Sequence, residues 1–274
     1  MIFPRISLQN DACFEMPEEL ILKAIDAGLQ TIGFSVRAGT SFDFRQGMEA
    51  EQRLQNRATI LHLSEKYCEK IQILLAETRD FYADPVFADC DYRVGTVGYL
   101  LADDGAICPL DVSPEELINT VNAHFGGSFS AFAKCYYETL ANLARKTKCD
   151  VVADFDLLHR VNDPGRLFDA QGPLYRSAVL DAMEALVAVP VIFEIKMTRQ
   201  KEGDLPPFTP SPDIVRWLAA HGATFLLSVP FSCKEAFLTN WEACASYANS
   251  CGVSSVTIPA RQARKTFPLL HKKS

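Results

Sequence analysis

The residue pattern predicts an α/β fold, a distorted TIM-like (β/α)7 barrel that spans residues 1–274 as a single domain. Three observations carry this. About seven short, nearly continuous apolar strands alternate with amphipathic helical stretches, which reads as a parallel sheet buried on both faces. The chain has 274 residues and is 48% hydrophobic, enough for one large core and within the usual length of an undivided α/β barrel. No glycine-rich loop follows the first strand, which disfavours a dinucleotide-binding open sheet, and no stretch rich in Pro, Gly or Ser divides the chain.

Ile2 to Leu8 reads as the first strand. Pro17-Glu18-Glu19 opens a helix through Ala27, with acids in its first turn and Gly28 just past its end. Thr31 to Phe34 is strand-like. After a loop near Gly39, Met48 to Lys70 has helical periodicity and Ile71 to Ala76 is a compact apolar strand. Asp91 to Leu101 reads as one strand containing Gly95 and Gly98. Ser113-Pro114-Glu115-Glu116 combines an N-cap, a proline at the first helical position and a capping-box glutamate. Two helices follow, interrupted near Gly126-Gly127, the second running to about Lys146. Asp150 to Asp154 is a buried strand ending in a carboxylate. Tyr175–Val187 (helix), Pro190–Ile195 (strand), a helix from Ser211 to about His221, Thr224–Ser228 (strand), a helix from about Asn240 to Ser250 and Ser255–Ile258 (strand) complete the series.

The formal net charge of −7 excludes a nucleic-acid partner of the usual kind, because affinity for phosphate backbones needs clustered Lys and Arg. The one basic cluster, within residues 261–274 (Arg261, Arg264, Lys265, Lys272, Lys273), reads as a solvated C-terminal tail. No apolar stretch reaches the roughly 18–20 residues of a membrane span, and residues 1–11 lack a secretory pattern. The nine cysteines are scattered and form no CxxC pair, so reduced thiols in a cytoplasmic protein are expected, several of them buried as small hydrophobes. A homo-oligomer is compatible with this composition.

In a parallel α/β barrel the active site lies at the C-terminal ends of the strands. That rule selects Leu8 to Asp11, Ser35 to Arg37, Glu77 to Asp80, Gly98, Asp154 to Asp156, Glu194 to Lys196 and Ser228 to Ser232. In the same regions the chain resembles the histidinol-phosphate phosphatase branch of the PHP (polymerase and histidinol phosphatase) family. The segments that carry the resemblance are AIDAGLQTIGFS, ILLAETRDFY, DYRVGTVGYL, FGGSFSAFAKCYYETLANLARKTKCDVVADFDLLHRVN, FEIKMTRQKEG and TPSPDIVRWLAAHGATFLLS.

The resemblance implies a phosphoric monoester hydrolase of histidine biosynthesis that holds up to three divalent ions on histidines and carboxylates. Such ions neutralise phosphate charge and lower the pKa of bound water. On that alignment the first-strand His-x-His falls on Gln9 and Asp11, and the second-strand Asp-His pair on Val36 and Arg37. The bridging Glu falls on Thr78, with Glu77 one place away. The next His becomes Gly98, the Gly-His becomes Ala153-Asp154, and the late Asp-x-His becomes Pro230 and Ser232. No aligned position keeps a histidine. His62, His124, His159, His221 and His271 fall mostly within or at the ends of predicted helices, and of these only His159 approaches the expected site.

Three functional expectations follow. The first is a catalytically impaired relative that needs no cofactor, in which Arg37, Asp11 and Asp154 form an ion-pair network in the vacated metal pocket. It would bind a small phosphorylated or anionic molecule through Arg160, which matches a phosphate-contacting position of the family, and through Arg199 and Lys201. The plain alternative for these residues is Arg37 in solvent, aspartates capping loops and a solvated basic loop. The second is an active phosphomonoester hydrolase whose reduced site of Asp11, Glu77, Asp80 and Asp154 holds Mg²⁺ or Mn²⁺. The third is a different barrel enzyme with Cys233 or Lys196 as nucleophile, for which no partner base is evident.

Overall fold

Proline opens four of the described helices, at positions 17, 114, 173 and 212. Its missing N–H is no loss in a first turn, and its fixed φ favours helix entry. Ser113 accepts from the Glu116 N–H while the Glu116 side chain takes the Ser113 N–H, closing the capping box that the sequence predicts.

The computed structural model describes residues 5–8, 16–40, 42, 50–83, 89–162, 167–197, 208–230, 234–259 and 264–269, the side chains of 5–8 and 160 excepted. In order the elements are β1 (Arg5–Leu8), α1 (Pro17–Asp26), β2 (Thr31–Arg37), α2 (Ala50–Lys66), β3 (Gln72–Asp80), β4 (Tyr92–Thr96), β5 (Tyr99–Leu101), β6 (Ile107–Pro109), α3 (Pro114–His124), α4 (Phe129–Ala141), α5 (Leu143–Thr147), β7 (Val151–Val152), α6 (Leu157–Val161), α7 (Pro173–Val187), β8 (Ile192–Met197), β9 (Phe208–Thr209), α8 (Pro212–Ala220), β10 (Thr224–Ser228), α9 (Lys234–Ser250), β11 (Ser255–Ile258) and β12 (Lys265–Pro268).

The main sheet runs β1-β2-β3-β4-β7-β8-β10 with every pair on this path parallel, and the two-residue β9 adds antiparallel to β8. It curls into a half-barrel flanked by helices, the distorted TIM-like architecture that the sequence predicts. β11 lies against β10 and pairs antiparallel with β12. The predicted solvated tail is therefore a strand over Lys265–Pro268, with Phe267 packed on both cores and Arg264 donating to the Pro190 carbonyl. The predicted single strand 91–101 breaks at Val97-Gly98, because the Gly98 N–H turns to the Asp80 carboxylate and β5 folds back onto β6.

Two cores separate the faces of the sheet. Phe34, Val36, Ile73, Leu75, Val152, Phe193, Ile195, Phe225 and Leu227 face the helices. Leu74, Ala76, Tyr92, Val94, Val151, Ala153, Ile192, Leu226 and Ile258 fill the concave side. Ladder partners in a parallel sheet share a face, and side chains alternate along each strand, so the register assigns every polar residue above these layers to one side or the other.

Candidate functional site

Arg37 is in register with Thr78, and Thr78 with Val94 of the concave core, so all three project inward. Asp80, two residues beyond Thr78, does the same. Glu194 is in register with Leu226, and Lys196 with Ser228 one step nearer the strand tips, again on the concave side. Apolar residues thus pave the bottom of the half-barrel, and Arg37, Thr78, Asp80, Glu194, Lys196 and Ser228 sit at its C-terminal edge, where Asp154 joins them from the loop after β7.

Glu77 belongs to the other face. It is in register with Val36 and Arg93, lies 3% exposed on the helix side, and pairs with the equally buried Arg79 at 3.1 Å. The four-carboxylate site expected from Asp11, Glu77, Asp80 and Asp154 is therefore corrected. Strand alternation sends residue 77 outward and residues 78 and 80 inward, so Glu77 cannot share a ligand with Asp80.

Asp80 is 2% exposed and its two oxygens take backbone donors, Oδ1 the Tyr82 N–H at 3.0 Å and Oδ2 the Gly98 N–H at 2.6 Å. Gly98 is the hinge of this arrangement. A Cβ there would lie 3.2 Å from Asp80 Oδ2 and 3.4 Å from Arg37 Nη2. The guanidinium and the carboxylate therefore flank the space where the resemblance would put an imidazole. Asp154 adopts φ 51°, the left-handed region that a non-glycine residue enters at a cost. From that turn its Oδ1 accepts from Lys196 Nζ at 3.1 Å, with the two side chains 25% and 30% exposed. Tyr136, fully buried on α4, donates to the Asp154 carbonyl at 2.9 Å, and burial pushes its own phenol well up. The adjacent Tyr137 donates to Asp156 Oδ1 at 3.4 Å.

Of the sequence-predicted residues, Arg37 and Asp154 are at the edge as expected, each with neighbours that the pattern did not supply: Gly98 and Asp80 for Arg37, Lys196 for Asp154. Arg160 lies on α6, its side chain outside the described residues, as are Asp11, Arg199, Lys201 and Cys233. Tyr136 and Lys196 are the residues that sequence reasoning underused. A double tyrosine on the buried stripe of the helix before β7, and a lysine two places past a buried strand glutamate, were the available signals. His62 lies on the exposed side of α2. His124 bonds Asp104 at 2.8 Å, and His221 stacks on Trp217, both on the surface. His159 lies on α6.

The donor set at the edge does not suit a multi-metal centre. Asp80 is committed to two amide donors and Asp154 to an ammonium, while Arg37 and Lys196 place fixed positive charge where divalent ions would sit. Among the described residues no three His, Cys, Asp or Glu side chains converge as a ligand group. The described residues also include no helix long and apolar enough to cross a membrane.

No protein-family model matches the chain, and no curated protein matches it. Solved structures do. A candidate histidinol phosphatase, HisK, from Listeria monocytogenes superposes with a TM-score of 0.65 at 13% identity, over 82% of this chain and 93% of that one. The histidinol phosphate phosphatase HisK of Lactococcus lactis, whose structure holds zinc, L-histidinol and phosphate, gives 0.63 at 13% identity over 96% and 98%. The chain has the fold of the histidinol-phosphatase HisK structures, as the resemblance in its sequence implies.

Proposed function

We propose that this chain is a histidinol-phosphatase-like protein of the cytoplasm that has exchanged metal chemistry for fixed side-chain cations, and that it binds a small phosphorylated or anionic molecule without hydrolysing it. The observation that supports this most is the Lys196–Asp154 pair. At the position where the resemblance expects an imidazole, a carboxylate instead meets an ammonium within 3.1 Å. A lysine in that place does electrostatically what a bound ion would do for the acids around it, and repels a second cation.

Arg37 and Lys196 are the described cations facing the pocket; Arg160, Arg199 and Lys201 are the further anion ligands of this proposal. A guanidinium fork suits two oxygens of a phosphate, and an ammonium supplies a point charge. The roles assigned are Arg37, Asp11 and Asp154, with Lys196 beside Asp154, for the internal ion pairs, and Arg37 together with Arg160, Arg199 and Lys201 for the ligand. Hydrolysis would need an activated water. Asp80 and Asp154 are already hydrogen-bonded, and none of the expected imidazoles aligns here to serve as general acid.

Elemental analysis of the purified chain, with turnover of histidinol phosphate and an aryl phosphate in added Mn²⁺, tests the loss of catalysis. Calorimetry with inorganic phosphate on wild type, Arg37→Ala and Arg160→Ala tests binding. The expected result is no metal-dependent turnover, together with phosphate binding that both variants weaken. Robust Mn²⁺-dependent hydrolysis abolished by Asp11→Ala would establish the reduced-site hydrolase instead.

A further inference from the structure

A cavity with a volume of about 690 Å³ lies between α6, α7 and α8. That is the size of a small-molecule site. Its wall is apolar, formed by Val179, Met183, Ile214 and the half-buried indole of Trp217. The His221 ring stacks on that indole at 3.7 Å and 15°, which holds it in place. At one end are Asp156 and His159, three residues apart.

Asp156 is the unusual member. It is 1% exposed, its Oδ2 accepts the Ser211 N–H at 2.9 Å and its Oδ1 the Tyr137 hydroxyl at 3.4 Å. Both donors are neutral, and no Lys or Arg pairs with it among the described residues. The other acid of the cavity, Asp213, lies on the exposed rim and already pairs with Arg216 at 3.0 Å. The rim also carries the exposed Arg176.

We propose that this groove binds a small organic cation, an amine with an aliphatic or aromatic body, its ammonium toward Asp156 and its body along Trp217. Among the described residues the hydrogen-bond donors to this buried carboxylate are neutral, and a cation within the groove adds a direct counter-charge to it. The indole face attracts the same charge, and the apolar wall receives the body. An anion of equal size would meet the carboxylate with like charge.

Calorimetry on the full chain with phenethylamine, phenethyl alcohol and phenylacetate tests this. The amine should bind about tenfold more tightly than the alcohol or the acid. Asp156→Asn keeps one oxygen to accept the Ser211 N–H and turns its amide NH₂ to the Tyr137 hydroxyl, which can accept it, and should erase that preference. Trp217→Leu, at a half-exposed position, should weaken the amine by about the same factor and serves if the first variant does not fold. Equal affinity for the three probes, no amine binding up to roughly 10 mM, or amine affinity unchanged in both variants overturns the proposal. So does loss of amine binding in His159→Gln with Asp156→Asn unaffected.

Discussion

Replacing Lys196 with Met keeps most of the side chain's volume but removes the charge that faces Asp154. At 3.1 Å the attraction is about 5 kcal/mol for an effective dielectric of 20. Lost hydration offsets most of it, and both side chains keep a quarter or more of their exposure (25% and 30%), which screens the rest. A net coupling of about 1–2 kcal/mol follows, above the roughly 0–1 of exposed pairs and below the roughly 3–5 lost on breaking a fully buried one. The partner substitution is Asp154→Asn rather than Ala, because Asn tolerates the φ of 51° while Ala adds a backbone penalty of about 1 kcal/mol. Urea unfolding of wild type, Lys196→Met, Asp154→Asn and the double variant yields the coupling directly. It should shrink between about 0.05 and 0.5 M NaCl, because the pair is partly exposed. A coupling below about 0.3 kcal/mol would show that the contact is incidental, and the internal-cation account of the site would fall with it.

Gly95→Ala should destabilise by about 1–3 kcal/mol, since its methyl would lie 2.7 Å from Cys149 Sγ, 3.0 Å from Cys149 Cβ and 3.1 Å from Leu143 Cδ2; adding Cys149→Ala removes the shortest of these contacts and should recover part of the lost melting temperature. Glu77→Gln should cost about 1–3 kcal/mol in a urea titration by removing the negative charge beside the buried Arg79, yet leave phosphate affinity unchanged; a selective loss of phosphate binding would return Glu77 to the site. Burial raises the Cys244 thiol from 9.0 to about 12, so the folded chain keeps a proton that the unfolded chain releases first. Its contribution is therefore complete below pH 9 and falls as pH rises toward 12, by about 1.4 kcal/mol at pH 10. Tyr136 and Tyr137 shift in the same direction. Urea midpoints that do not move between pH 8 and roughly pH 10 would contradict this.

Where apolar content was high, the pattern located elements well. The strands at Ile73–Ala76, Val151–Val152 and Phe225–Leu227, and the proline-opened helices, were legible because burial on both faces demands unbroken hydrophobicity and helix starts have a local chemistry. It failed where strands continue into polar residues. β2 runs through Arg37 and β3 through Asp80, because their last residues line a site rather than a core. Five-residue α6 was invisible to periodicity, and the extension of α9 back to Lys234 follows a polar first turn.

By itself the sequence determined the class of fold, the absence of imidazoles at the expected positions, and the set of strand tips where a site had to lie. Composition and spacing are local or one-dimensional properties and suffice for the fold class and the strand tips, while the positions where imidazoles were expected are what the resemblance to histidinol phosphatases implies. Only the tertiary structure decided which charged residues meet. Alternation and register send Glu77 to the helix face beside Arg79 and Asp80 to the concave face beside Gly98. A left-handed turn at Asp154 brings its carboxylate to Lys196, a residue 42 positions away in sequence. Charge pairing depends on distances across neighbouring strands, and a chain read along its length contains no such distances.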